Sequence, residues 1–210
     1  MADDDFNFEP VPGLPSLPPK GETILWQGRP ATLQLAREAF ALDWLAFYFA
    51  ALVIWRASVG FAEAGMTGAL AYGIPYILPG ALAAVIVLAL AWAQARATVY
   101  TITTARVAMR IGAALSVTFN IPFPQIASAS VDLRRGGTGT IALTLVKEAR
   151  ISYLIAWPHV RPWYFLTQPS LRCIPDADRV ARLLAQAAET RLSRPEVVAI
   201  PTAAVAVAAE

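Results

Sequence analysis

The sequence predicts an α+β membrane protein, in which a helical hairpin inside the bilayer is followed by an antiparallel β domain that one C-terminal helix closes. The hydrophobic content of 57% and the mean hydropathy of +0.50 are high for an ordinary soluble domain. No Asp, Glu, Lys, Arg or His occurs from Ala64 to Ala95. Beyond Arg96 the apolar residues change from a helical to an alternating spacing, which is typical of strands.

The uncharged run contains the stronger of two predicted membrane spans, Ile74 to Ala95. A helix of about 20 apolar residues crosses a hydrocarbon core of roughly 30 Å, and a helix satisfies its backbone hydrogen bonds internally. Small residues recur in this span at helical spacing, at Gly80, Ala84, Ala91 and Ala95. They could form a stripe on which another helix packs, including that of a homodimer, or they could simply reflect the abundance of alanine.

The first predicted span, Phe40 to Val59, is weaker because Asp43 and Arg56 lie toward its two ends. A charge near a helix end can reach the lipid headgroups, whereas a charge at the bilayer centre is costly. This placement is therefore compatible with a membrane helix. Residues 40–95 are interpreted as a two-helix transmembrane hairpin.

The distribution of positive charge predicts the topology of this hairpin. The connecting stretch, Ala57 to Gly73, carries Glu63 but no Lys or Arg. Basic residues flank the hairpin on both sides: Lys20, Arg29, Arg37, Arg96, Arg106 and Arg110. Because positive charge concentrates on cytoplasmic flanks, we expect a multi-pass protein with both termini in the cytoplasm, lying in the inner membrane if the host is a bacterium. Asp43 and Arg96 would then lie at the same membrane face, where they could form an ion pair or reach water separately.

Two terminal stretches are predicted to be disordered. Residues 1–20 hold three consecutive aspartates and several prolines, so neither a helix nor a strand can run through them. This acidic arm is either inert or a docking peptide whose Phe6 and Phe8 anchor on a partner. Residues 195–210 form a tail of mainly Ala, Val and Pro that is too short to span a membrane.

Between the arm and the hairpin lies a pre-membrane segment, residues 21–39. It begins with a short apolar patch, GETILWQGRP, and continues as a predicted helix from Ala31 to Ala39. Trp26 and Arg29 in this patch are candidate partner contacts, because aromatic and Arg side chains dominate binding hot spots.

Residues 96–194 are predicted to form the cytoplasmic β domain. Short strands are expected at Val99–Thr103, Arg106–Ile111, Leu115–Phe119, Ile126–Leu133, Thr138–Val146 and Arg150–Ile155. Connections this short produce antiparallel sheets. A C-terminal helix is expected to begin at the candidate N-cap Asp176 and to present one apolar face: Val180, Leu183, Leu184 and Ala187.

Several stretches resemble bacterial membrane proteins with a pleckstrin-homology-like (PH-like) domain: GETILWQGRP, YTITTARVAMRIG, IPFPQIASASV and GTIALTL. More narrowly, DFNFEPVPGLPSLPPKGETILWQGRP and WPHVRPWYFLTQPSLRCIPDA resemble the PuhB family of photosynthetic complex assembly proteins in purple bacteria. The resemblance implies a PH-like β-barrel or sandwich with a C-terminal capping helix. It also implies a non-catalytic assembly factor for the photosynthetic reaction centre and core light-harvesting complex, with their subunits or other assembly factors as partners.

The sequence predicts no enzyme, no cofactor and no metal site. The single histidine, His159, is accompanied by no GxSxG or paired-carboxylate pattern. The stretch Gly136 to Gly139 lacks the Lys-Ser/Thr of a phosphate loop and is expected to be a hairpin turn. The lone cysteine, Cys173, excludes a thiolate zinc cluster. A bacteriochlorophyll ligand would need a dry apolar pocket, whereas His159 is expected in a polar surface loop.

That loop holds the remaining partner-contact candidates: Trp157, His159, Arg161 and Trp163. Two prolines stiffen it, and its Trp and Arg side chains are of the types that carry most interface energy. The alternative interpretation is that the two tryptophans close the core of the barrel. Both interpretations remain open at the level of the sequence.

The charge of the β domain suggests an alternative function. From Ala97 to Arg194 twelve basic residues stand against five acidic ones, a net charge of +7, whereas residues 1–43 carry −4. A basic domain below an anionic lipid bilayer is attracted to it. The alternative to an assembly factor is therefore a membrane protein that senses anionic lipid headgroups. Nucleic acid is not expected as a partner, since no known reading motif is present.

Overall fold

The computed structural model describes residues 10–113, 115–134, 136–146, 151–161 and 167–193. The predicted contacts Phe6, Phe8 and Trp163 and the predicted tail, residues 195–210, lie outside these ranges. The observed class is α+β, as predicted, with one long apolar helical segment and two antiparallel sheets.

The elements follow one another in an order that places the apolar helices between the first and second strands. They are β1 (Ile24–Gly28), α1 (Thr32–Glu38), α2 (Leu42–Gly73), α3 (Ile77–Ala97), β2 (Val99–Thr103), β3 (Arg106–Ile111), β4 (Val117–Pro122), β5 (Ile126–Leu133), β6 (Gly139–Leu145), α4 (Tyr153–Ala156), β7 (Ser170–Ile174) and α5 (Ala177–Leu192). Short 3-10 turns at Ile74–Tyr76 and Phe123–Gln125 join α2 to α3 and β4 to β5.

The described residues contain one helical segment that is long and apolar enough to cross a membrane, Leu42–Ala97. Its backbone leaves helical geometry at Ala64 and Gly65, where Gly65 takes a φ of 63°. Only glycine adopts this left-handed region without strain, so the chain can reverse there. The predicted connection over residues 57–73 is therefore mostly helical, and the reversal is confined to two residues.

The two halves of this segment pack side by side in antiparallel orientation, and we call them the apolar hairpin. A Cβ on Gly60 or Gly68 would overlap the carbonyl oxygen of the other residue. A Cβ on Gly73 would lie 3.2 Å from the Cβ of Ala57. Farther from the turn, a Cβ on Gly80 would lie 2.9 Å from the ring of Phe49. Glycine at these positions lets the helix backbones approach closely, as in small-residue helix interfaces in membranes.

The first sheet joins strands from both sides of the apolar hairpin. β1 pairs antiparallel with β2, with Gly28 opposite Tyr100 and Gln27 opposite Thr101. The sheet continues in the order β1-β2-β3-β4. The segment interpreted as pre-membrane thus supplies an edge strand of the β domain, and its predicted helix is observed as α1.

The second sheet has the order β5-β6-β7 and differs from the predictions in two places. The predicted strand at residues 150–155 is wrong, because Tyr153–Ala156 form a single helical turn, α4. The strand β7 was not predicted from the sequence, because Arg172 and Cys173 interrupt its apolar pattern and Pro169 precedes it. The other predicted strands are observed, three of them with the predicted boundaries.

The core of the β domain lies between the two sheets and α5. Its largest buried side chains come from both sheets and from the turn between them: Tyr100, Ile102, Met109, Ile111, Ile121, Phe123, Ile141, Leu143, Leu171 and Ile174. The predicted apolar face of α5 closes this core, with Val180 1% and Leu184 4% exposed. Asp176 occupies the N-cap position, but with a left-handed φ of 50° and with no side-chain cap hydrogen bond within the described part of the chain.

The close approach of the hairpin backbones can be tested with Gly68→Val. The added side chain overlaps the backbone of Gly60, which cannot move as a flexible side chain can. Overpacking of this kind typically destabilises by about 1–3 kcal/mol. We therefore expect a lower thermal unfolding midpoint for the detergent-solubilised full chain.

The matched control is Ala71→Val, which adds the same β-branched side chain at an exposed position of the same helix. It should leave the midpoint nearly unchanged. An equal loss in both variants would show that helix propensity, and not the Gly60–Gly68 contact, determines the stability of the hairpin.

Candidate interaction surface at the hairpin base

The predicted contact loop lies where the β domain meets the start of the apolar hairpin. Trp157 is 43% exposed, and its ring lies edge-on to Phe40 with 5.5 Å between ring centroids. Phe40 lies two residues before the start of α2. One edge of Trp157 therefore contacts the hairpin base, while the rest of its ring is available to other molecules. Arg161, also exposed, donates to the Ser130 hydroxyl at 3.3 Å.

His159 is not at the surface, contrary to the prediction from the sequence. It is 0% exposed, and both ring nitrogens have partners. Nδ1 lies 2.6 Å from the Tyr100 hydroxyl, and Nε2 lies 3.0 Å from the Thr98 hydroxyl. The prediction failed because Tyr100 and Thr98 belong to the segment that follows α3, about 60 residues away in the chain. His159 therefore cannot be a partner contact.

One assignment of protons satisfies every group in this network. The backbone N–H of Arg172 donates to the Tyr100 oxygen at 3.2 Å, so the Tyr100 O–H is free to donate to Nδ1 of His159. Nε2–H then donates to Thr98, whose hydroxyl donates to the Gln94 carbonyl at 2.7 Å. The chain of hydrogen bonds requires a neutral histidine and connects the contact loop to β2, β7 and the end of α3.

The electrostatics of the network keep it neutral. Burial, with a smaller contribution from the charge of Arg172, lowers the pKa of His159 to about 3. Burial likewise raises the pKa of Tyr100 above its usual value. A neutral histidine with both nitrogens occupied offers no lone pair to a metal or pigment. Across the described ranges, no group of three or more His, Cys, Asp or Glu side chains is placed to hold a metal ion.

A second network of charged groups lies beside the first. Glu38, at the end of α1, forms ion pairs with two arginines: its Oε1 lies 2.6 Å from Arg134 Nε, and its Oε2 lies 3.8 Å from Arg172 Nη2. Arg172 also donates to the Pro158 carbonyl at 2.9 Å. The guanidinium of Arg134 also pairs with Asp132, with 3.3 Å between Nη2 and Oδ2. No sequence pattern marked Glu38 or Arg172, because their pairing depends on how α1 packs against β7.

Two cavities open around these groups. A polar cavity of about 330 Å³ is lined by Glu38, Ser130, Val131, Asp132, Arg134, Thr140, Ala142, Arg161 and Arg172. A more aromatic cavity of about 410 Å³ is lined by Arg37, Glu38, Ala39, Ala41, Trp44, Tyr153, Trp157 and Arg172. Together with the exposed part of Trp157, these cavities form a surface that we call the base surface.

The predicted ion pair between Asp43 and Arg96 is replaced by another. Both carboxylate oxygens of Asp43 lie 3.0 Å from Nε of Arg37, six residues earlier. Ala41 has a left-handed φ of 54°, which turns the chain between the two side chains and brings them together. The guanidinium of Arg96 lies 5.7 Å from the ring centroid of Trp92.

The other predicted contacts mainly have packing roles within the chain. Trp26 is half-buried against the barrel core, whereas Arg29 is exposed. In the small-residue stripe, Gly80 faces Phe49, and Ala91 and Ala95 are buried. Ala95 packs against Leu35 of α1 and Cys173 of β7. The part of the stripe at Ala91 and Ala95 is thus covered by the chain itself.

Comparison with known proteins places this geometry in context. A family model described as "Bacterial PH domain" matches residues 45–188, which include most of the apolar hairpin as well as β2 to α5. A Rhodobacter capsulatus protein described as "Uncharacterized 23.7 kDa protein in puhA 5'region" is 48% identical over 211 residues. The alignment covers 99% of this chain and 99% of that protein. No solved structure matches the chain.

The buried histidine predicts a specific dependence of stability on pH. The pKa of His159 is about 3 in the folded chain, below the ordinary value of 6.5, so the unfolded chain binds more protons between these limits. The stabilisation is complete above pH 6.5 and is lost as the pH falls toward 3. Between pH 7 and pH 5 this should cost about 2 kcal/mol of unfolding free energy.

His159→Gln should be less stable than the natural chain at pH 7 but should lose less stability on acidification to pH 5. Unfolding of the full chain in detergent by denaturant, followed by tryptophan fluorescence, measures both values. Val160→Ala, which truncates the adjacent buried side chain, should lower stability while retaining the pH dependence. If His159→Gln and the natural chain show the same loss between pH 7 and pH 5, the buried-histidine explanation is wrong.

Proposed function

The chain belongs to the bacterial PH domain family, and from this premise we propose that it is a non-catalytic membrane assembly factor. In this proposal the apolar hairpin crosses the inner membrane of a photosynthetic bacterium. The β domain lies on the cytoplasmic side and holds a partner through the base surface. The partners are subunits of the reaction centre and core light-harvesting complex, or other assembly factors, as in the PuhB family.

The observation that carries this proposal is the full-length similarity to the Rhodobacter capsulatus protein. That protein is described by its position in the 5' region of puhA, a reaction-centre gene. Identity of 48% across 99% of both chains includes the arm, the hairpin and the β domain, so the two proteins share all their parts. A gene beside a reaction-centre gene is well placed to serve the same complex, which supports a role in photosynthesis.

The exposure of the apolar hairpin supports its place in a membrane. In its most apolar window only 11% of the residues are buried inside the protein. Large side chains such as Leu78, Val85 and Ile86 are more than half exposed. Such a surface needs lipid around it. From Leu42 to the turn at Ala64 the chain has a helical length of about 33 Å, enough to cross a hydrocarbon core. We therefore infer two crossings.

The ion pairs of the β domain favour a protein partner over diffuse attraction to anionic headgroups. Several basic side chains are already paired with carboxylates: Arg106 with Glu22, Arg134 with Glu38, and Arg182 with Asp178. Pairing reduces the charge that these residues present to a lipid surface. Exposed aromatic and Arg side chains at the base surface are instead suited to a localised protein contact.

Deletion of the gene from its photosynthetic host should reduce the amount of assembled core complex, because nascent subunits lose their docking partner. The amount is measured by the near-infrared absorbance of isolated membranes. Complementation with the natural chain should restore it, whereas Arg161→Ala should restore it only partly. Loss of one hot-spot Arg weakens binding by about tenfold or more.

The matched control is Arg182→Ala, which removes an exposed Arg of α5 away from the base surface. It should restore the complex fully at an equal membrane level of the protein. Unchanged core complex in the deletion strain would contradict the assembly role. If Arg182→Ala and Arg161→Ala were equally defective, and both variants lost binding to anionic liposomes in parallel, headgroup sensing would replace protein docking.

A further inference from the structure

The two most exposed large apolar side chains among the described residues belong to the β domain and not to the hairpin. Leu154 is 85% exposed and Leu115 is 82% exposed. They lie on separate elements, α4 and the turn between β3 and β4. A single exposed leucine is common on protein surfaces. These two leucines differ from isolated exposed leucines because both lie near the base of the apolar hairpin.

Strand pairing places Leu115 at the end of the sheet where the hairpin enters. Val99, the first residue of β2, follows α3 almost directly and lies opposite Arg110 near the end of β3. Ile111, the last residue of β3, lies opposite Val117, the first of β4. The turn that carries Leu115 therefore leaves the sheet beside the end of α3.

Aromatic contacts place Leu154 at the same end. Trp157, just after α4, packs on Phe40, which lies two residues before α2. Tyr153 of α4 and Trp44 of α2 line the same cavity. The neighbouring Ile155 is also 56% exposed, so α4 presents consecutive apolar side chains outward. Leu115 and Leu154 thus flank the base of the hairpin, one beside α3 and the other beside α2.

We propose that α4 and the β3–β4 turn insert Leu154 and Leu115 into the interfacial layer of the bilayer that the hairpin crosses. The β domain is then seated on the membrane at three places, which fixes its orientation. This inference rests on the proposed membrane crossing. The partner of these two side chains is lipid, because they lie beside the ends of the apolar hairpin, where its terminal tryptophans are found.

Those tryptophans define the level of the interface. Trp44 lies in the first turn of α2 and is 73% exposed, and Trp92 lies in the last turns of α3 and is 56% exposed. Trp is enriched where hydrocarbon meets headgroups. Asp43 directly precedes Trp44, and the guanidinium of Arg96 lies 5.7 Å from the ring centroid of Trp92, so both charges lie at the depth where they reach water. Short apolar elements at this depth bury their side chains between headgroups and acyl chains.

The insertion can be measured by lipid quenching of a fluorescent label on the full chain in lipid nanodiscs. Leu154→Cys and Leu115→Cys carry an environment-sensitive dye, and nitroxide-labelled lipids act as quenchers. The natural Cys173 is 1% exposed and does not take the label. Leu82→Cys, on an exposed position of α3, reports the membrane crossing itself. Gln186→Cys is the matched aqueous control, because it shares a groove with the β2–β3 turn at the far end of the sheet.

The proposal predicts blue-shifted emission at positions 154 and 115 and quenching several-fold stronger than at position 186. Strong quenching at position 82 with only control-level quenching at 154 or 115 would overturn the three-point seating while leaving the membrane crossing intact. Control-level quenching at position 82 would overturn the crossing, and the insertion with it. If positions 154 and 115 were shielded from water in native membranes but unquenched in pure lipid nanodiscs, a protein and not lipid would be the occupant.

Discussion

The pairing of β1 with β2 is the constraint on which the arrangement of this protein depends. The two strands are adjacent in the sheet, with Gly28 opposite Tyr100, although the whole apolar hairpin lies between them in the chain. Their pairing, together with the hydrogen bond from the Ala31 N–H to the Cys173 carbonyl at 2.8 Å, holds both ends of the hairpin against the β domain. In the proposed membrane arrangement, a segment held at both ends on one side of the bilayer has to return to that side.

The hydrogen-bond and ion-pair networks at the hairpin base reinforce this constraint. Tyr100 of β2 reaches His159 on the contact loop and the backbone of Arg172 on β7. Glu38 of α1 reaches both Arg172 and Arg134. Buried polar groups are costly when unpaired and specify one arrangement when paired. The junction is therefore a fixed structure, which sets the positions of the exposed side chains around it.

The sequence predicted the elements that local patterns determine. The strands Val99–Thr103, Arg106–Ile111 and Ile126–Leu133 were predicted with their observed boundaries, because alternating apolar residues are a local pattern typical of strands. The apolar face of α5 was predicted for the same reason. Features that depend on contacts between distant segments were not predicted. His159 is buried because Tyr100 and Thr98 surround its ring, and Asp43 pairs with Arg37 because Ala41 turns the chain.

The resemblance to assembly proteins rests on two blocks of sequence and not on composition or periodicity. The position of the base surface, in contrast, could be seen only in the structure. Trp157 and Arg161 were proposed as contacts from residue type alone, and the structure places both near the hairpin base. No sequence pattern predicted that Tyr100, Glu38 and Arg172 take part in the buried networks at the hairpin base. A tyrosine in a strand or a glutamate in a helix usually has no buried polar partner of this kind.

The most direct test of the whole account is the location of the tight turn at Ala64 and Gly65. Alkaline phosphatase, active only outside the cytoplasm, can be inserted at Gly65 and, in a separate fusion, at Ala105 in the β2–β3 turn. Pairing of β1 with β2 and two crossings together predict high activity at Gly65 and none at Ala105. Equal activity at the two positions, whether high or absent, would contradict the return of the hairpin across the membrane.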